Sequence, residues 1–202
     1  MGQYRRGIFE QFGAEYWREL FCWPERIVEY DGKTGLVAPI YPPRFFFGPS
    51  TALAGAEKDG KWFSSAKNFN RFVPPEEKGN LLGYLRICLN LSRAVRRLHA
   101  AGLAHSDLSY KNCLVDPTSG GACIIDIDGL VAPGLFPPEV IGTPDFIAPE
   151  VISTLNLPMN DPKRNHPRRE TDQHALSVLI YLYLFHRHPL RGGKIYSADA
   201  DE

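Results

Sequence analysis

Between Asn80 and Ala100 the apolar residues Leu81, Leu85, Cys88, Leu91, Val95 and Leu98 recur at steps of three and four. That spacing lines one face of an α-helix, so the pattern predicts an amphipathic helix over residues 80–100, stopped at Ala101-Gly102. A similar stripe, Ile8, Phe9, Phe12, Tyr16, Leu20 and Phe21, predicts a helix over 8–22. Trp23-Pro24 ends it, because proline pushes its predecessor out of the α region. Two short strands are expected at 26–30 and 36–41, with Asp31-Gly32-Lys33-Thr34-Gly35 as the hairpin turn between them. Residues 42–80 show no period. They are rich in Pro, Gly, Lys and Ser with scattered aromatics, and read as an irregular connection. Further strands are expected at 113–115 and 123–125 around an Asp116-Pro117 turn. After a Gly/Pro-rich stretch (129–149) and a polar loop (158–170), Asp172 is placed as the cap of a helix running to residue 185. That helix is apolar on nearly every face, the pattern of a fully buried element.

Composition narrows the classes. The 202 residues suffice for one domain, or one and a part. Basic and acidic residues balance at 23 each, which gives no support for an electrostatic hold on nucleic acid or on an anionic membrane. Cys22, Cys88, Cys113 and Cys123 form no CxxC pair, so free thiols in a reducing cytoplasm are expected rather than disulfides or zinc. His186 and His188 lack a third ligand and carry little metal signal. The first residues lack the apolar run of a signal peptide, and the longest apolar run, 175–185, is too short to cross a bilayer. A cytoplasmic protein is expected.

The chemistry concentrates in three blocks. The first is His105-Ser106-Asp107-Leu108-Ser109-Tyr110-Lys111-Asn112, in a loop between a long helix and a strand. The second is Ile124-Ile125-Asp126-Ile127-Asp128-Gly129. The third runs from Gly142-Thr143-Pro144 to Ala148-Pro149-Glu150. In this order and setting the blocks closely resemble the catalytic loop, metal-binding motif and activation-segment end of eukaryotic-like (Hanks-type) Ser/Thr protein kinases, with a bacterial flavour in Leu-Val-Ala-Pro and Ile-Asp-Ile-Asp. The resemblance implies an α+β, two-lobed kinase fold. Residues 1–44 would form part of the small lobe up to a hinge bounded by Tyr41 and Arg44, where ATP binds. Residues 45–202 would form the helical large lobe, truncated after its central helix.

The resemblance also implies roles. Asp107 matches the carboxylate that takes the acceptor hydroxyl's proton, and Lys111 would reach the γ-phosphate. Asn112 and Asp126 match the Mg²⁺ ligands, hard oxygen donors suited to that ion. Thr143 would hydrogen-bond near Asp107, and Gly142-Thr143 favours Ser/Thr acceptors on a protein substrate. His105, Glu150 and Asp172 match structural positions, Asp172 tying the catalytic loop's backbone. Aminoglycoside- and choline-type small-molecule kinases share the first two blocks but lack the third.

Several departures bear on the reading. Ser106 stands where phosphorylation-regulated kinases carry Arg, so activity is expected not to depend on activation-segment phosphorylation. Asp128 replaces the glycine of the metal motif and is expected to face solvent or its loop. No Gly-x-Gly-x-x-Gly or Val-Ala-x-Lys strand precedes the first helix, on which Glu10, Glu15 or Glu19 would be the ion-pair glutamate. The strands that cover ATP are expected upstream of Met1, which leaves a pseudokinase or scaffold as the alternative to an active enzyme. A partner or a missing segment is expected to cover the helix 173–185.

Overall fold

The computed structural model describes residues 8–9, 14–133 and 141–191. Helix α1 (Ala14–Leu20) leads into an antiparallel hairpin of β1 (Arg26–Tyr30) and β2 (Lys33–Val37). The turn is tighter than expected, and β2 begins earlier. Asp31 and Gly32 both take positive φ (50° and 69°), so two residues suffice and Tyr30 pairs directly with Lys33. Consecutive left-handed residues are the type I′ geometry whose twist matches the strands it joins. The hairpin stands clear of the core, with Ile27 and Tyr30 largely exposed.

Segment 42–80 is not a mere connection. It contains α2 (Lys61–Ser64) and α3 (Ala66–Arg71), and it buries Phe45, Phe47 and Phe63 completely or nearly so. Phe47 stacks on Phe63 at 6.1 Å. The chain here is laid against β3 (Cys113–Asp116), with Val115 N–H donating to the Lys58 carbonyl at 2.9 Å. Lys58 is buried too, its ammonium paired with Glu77 at 2.6 Å and Asp116 at 3.6 Å. A buried ammonium needs such partners.

Helix α4 (Leu81–Ala100) starts where expected, with the Asn80 side chain accepting from Gly83 N–H at 3.1 Å. Its buried face comprises Tyr84, Ile87, Cys88, Leu91, Ala94, Val95 and Leu98. Leu81 and Leu85, read as core, are exposed, as are Leu82 and Leu89. At about 100° per residue, Leu85 falls about 60° beyond Cys88, the edge of the arc that meets the neighbouring elements. Those neighbours are β4 (Gly121–Ile124), paired antiparallel with β3, and α6 (Arg169–Phe185), which follows the short α5 (Pro149–Ile152).

Helix α6 begins three residues before Asp172, with Arg168 N–H donating to Thr171 Oγ1 at 2.9 Å. Asp172 is therefore a buried first-turn residue and not the cap, which leaves its carboxylate for other work. The helix buries Ala175, Val178, Leu179, Leu182 and Tyr183 but leaves Tyr181 and Phe185 exposed, so it is less fully enclosed than its composition suggests. All four cysteines are free thiols, three of them buried. Among the described residues no helix is long and apolar enough to cross a membrane.

Candidate active site

One backbone bridge and one buried carboxylate shape the loop after α4. Ala104 and Val131 exchange both backbone hydrogen bonds at 2.9 Å. His105 N–H donates to Asp172 Oδ2 at 2.8 Å, and His99 Nε2 lies 2.9 Å from the same oxygen. The buried His105 ring faces the Ile125 carbonyl at 3.2 Å, so Nε2 carries the proton. The loop then turns at Ser106 and presents Asp107.

The Asp107 carboxylate is held at both oxygens. Thr143 donates its N–H (2.6 Å) and its hydroxyl (2.7 Å) to Oδ1. Asn112 Nδ2 donates to Oδ2 at 3.0 Å and to the Asp107 carbonyl at 2.8 Å. Gly142, at φ 124°, makes the Thr143 approach feasible. A Cβ there would sit 3.1 Å from the Ser106 carbonyl, in a backbone conformation that L side chains rarely adopt. Ser109, fully buried, fixes the turn that carries Asn112, its hydroxyl accepting Lys111 N–H at 3.2 Å.

Asp126 follows a residue gripped from two sides. Ile125 N–H donates to the Asn112 carbonyl at 3.0 Å, while the Ile125 carbonyl accepts from His105. Asp126 itself takes a left-handed conformation (φ 57°, ψ 46°) and is exposed. The Asn112 amide commits its nitrogen to Asp107, which leaves its oxygen as the donor atom for a hard cation. An amide oxygen and a carboxylate joined through Ile125 are chemically suited to Mg²⁺.

Comparison with known proteins decides the family. The protein kinase domain family model matches residues 77–202, over half of the chain. The chain belongs to the protein kinase domain family. It is 35% identical over 69 residues to a dual serine/threonine and tyrosine protein kinase of Strongylocentrotus purpuratus. It is also 35% identical over 77 residues to the dual specificity testis-specific protein kinase 1 of Rattus norvegicus. Each match involves 34% of this chain, and the aligned parts make up only 7% and 12% of those relatives. The structure of the Cydia pomonella granulovirus kinase PK-1 aligns with 93% of this chain and 55% of its own, at a TM-score of 0.58 and 18% identity. That likeness is one of fold, the α+β kinase architecture.

Within this kinase domain some expected site residues stand apart. Lys111 is exposed, and its ammonium makes no hydrogen bond or ion pair among the described residues. Its charge is felt by Asp59, whose carboxyl burial pushes above the ordinary value against the opposing pull of Lys61, 2.6 Å away, and of Lys111. Neither Asp59 nor Lys61 stood out in the sequence, though Gly60 between them docks its N–H on the Tyr110 carbonyl at 2.9 Å. Among the described residues no ion pair involves Glu150, which contributes its carbonyl to Ser153 and Asn165. The ion pair near this segment is Asp145–Arg191 at 2.6 Å. Of the glutamates on the first helix, Glu15 is exposed and Glu19 pairs with Arg44 at 3.0 Å. Glu10 and the Asp128 side chain lie outside the described residues. Beside Tyr41 a cavity of about 270 Å³ opens between Phe21, Cys22, Trp23, Pro39 and Cys123. The Tyr41 phenol is pushed up to about 12, first by burial and further by the nearby acidic groups, Asp126 among them.

Proposed function

We propose that this domain transfers the γ-phosphoryl group of ATP to serine or threonine hydroxyls of a protein. The observation that carries this reading is the Asp107 carboxylate, fixed by Thr143 and Asn112 yet not enclosed by them. Asp107 Oδ1 takes two donors and Oδ2 takes one side-chain donor, so Oδ2 keeps more lone-pair capacity. Oδ2 is thus the atom that accepts the hydroxyl's proton as the acceptor oxygen attacks. Thr143 and Asn112 orient the base. Asp126 and the Asn112 amide oxygen would hold Mg²⁺, which when bound neutralises charge on the phosphate oxygens. Lys111, four residues after Asp107 and exposed, would add positive charge toward the transferring group. The nucleobase lies in the cavity beside Tyr41, where Ile40 and Tyr41, set between Pro39 and Pro42, offer backbone N–H groups to recognise it.

The test is Asp107→Asn in the full chain, assayed with radiolabelled Mg-ATP on casein and myelin basic protein. Loss of general-base catalysis predicts a fall in rate of about 10²- to 10⁴-fold with nucleotide affinity retained. Phosphorylation at the wild-type rate in the Asn variant would overturn the assignment.

A further inference from the structure

Ser106 is one of four residues other than glycine with positive φ among the described residues, at φ 62°. The Asp107 N–H donates to the His105 carbonyl at 2.8 Å, an i to i+2 bond closed around Ser106. A γ-turn centred on positive φ is rare and strained, and it persists only where its surroundings over-determine it. Here Asp172 holds the residue before the turn, and Thr143 and Asn112 hold the residue after it. If the backbone turn were all that mattered, glycine would provide it without strain. Among the described residues the serine side chain makes one hydrogen bond. Ser106 Oγ donates to the Gly129 carbonyl at 2.7 Å.

Gly129 ends the short helical turn Ile127–Gly129 that follows Asp126, and Val131, two residues on, bridges back to Ala104. The strip that leaves Asp126 is thus stitched to the loop that presents Asp107 at two points on either side of His105. One is a backbone bridge and the other is the Ser106 hydroxyl. We propose that Ser106 is a positioning residue, whose clasp on Gly129 keeps residues 127–131 in register with Asp107 with no phosphorylated side chain required to do so. The proposal rests on the phosphotransfer reading above and adds to it the device that sets the spacing between the Asp107 and Asp126 strips.

Ser106→Gly and Ser106→Ala in the full chain separate the clasp from the fold. Glycine removes the hydroxyl and also relieves the positive φ, so its melting temperature should stay within roughly 3 °C of wild type. Amide exchange at residues 130 and 131 should nonetheless speed up roughly tenfold in both variants, the size expected for one lost hydrogen bond. The kcat for protein phosphorylation should fall several-fold with the KM for Mg-ATP unchanged. Wild-type exchange at 130–131 in the Gly variant overturns the clasp whether or not the chain transfers phosphate. Faster exchange with unchanged kcat overturns the positioning role, and faster exchange spread over the whole chain marks Ser106 as merely structural. A wild-type chain that forms no phosphoprotein overturns the phosphotransfer reading instead, and the exchange result then still decides whether the clasp exists.

Discussion

Asp172, in the first turn of α6, reaches the backbone N–H of His105 at 2.8 Å. One buried oxygen serves both this amide and the His99 ring, so a single carboxylate ties the loop of Asp107 to the central helix and to the end of α4. Removing it orphans a buried N–H.

Asp172→Ala should therefore cost about 2–3 kcal/mol, the range for losing hydrogen bonds to a charged acceptor. Asp172→Asn, whose amide oxygen can replace Oδ2 toward both donors, should lose less than half as much. Urea unfolding of the three chains checks the order. Equal losses for Ala and Asn would contradict it.

Gly60 sits where a side chain has no room. A Cβ would lie 2.1 Å from the Tyr183 hydroxyl and 2.9 Å from the Tyr110 carbonyl. Gly60→Ala should destabilise by about 2–3 kcal/mol, as overpacking of a tight site does. The Tyr183 hydroxyl is buried without a hydrogen-bond partner among the described residues, and burial raises its pKa well above the ordinary value. Tyr183→Phe should be neutral or slightly stabilising. It should also return about half of the Gly60→Ala loss, a coupling that a double-mutant cycle measures. Strict additivity would show that the two groups do not meet.

Much of this site could be read from the residues, and the reasons are specific. Helix α4 announced itself by its period, and the His105 to Asn112 and Asp126 blocks by residue type and order. The burial of 42–80 was not legible, because Phe45, Phe47 and Phe63 pack through long-range contact with β3 and obey no local period. Leu81 and Leu85 fit the helical period yet face outward, because which arc is buried depends on where β4 and α6 lie. Ser106 looked like the absence of an arginine. Its left-handed backbone and its bond to Gly129 exist only once the two loops meet.

Asp116 predicts an acid sensitivity. Burial alone would raise its carboxyl, but bonds from Ser119 and Thr118 and the charge of Lys58 outweigh that and hold it below the ordinary 3.8. A depressed folded value stabilises above the unfolded pKa, and that contribution is lost as pH falls through the lower folded value. Asp116→Asn should therefore be less stable than wild type by about 1–3 kcal/mol at pH 7. The gap should narrow as pH drops below 3.8. Melting curves of both chains at pH 7 and pH 3 test this. A gap that widens in acid would show the sign to be wrong.

The central claim is that Asp126 and Asn112 hold magnesium-bound nucleotide beside Asp107. Thermal shift of the full chain with ATP, with and without Mg²⁺, compares wild type with Asp126→Ala. A ligand at about 100 times its Kd adds roughly 2.7 kcal/mol of stability. Wild type should thus show a clear Mg²⁺-dependent rise in melting temperature that the Ala variant loses. An equal rise in both chains, or none in wild type, would contradict the account.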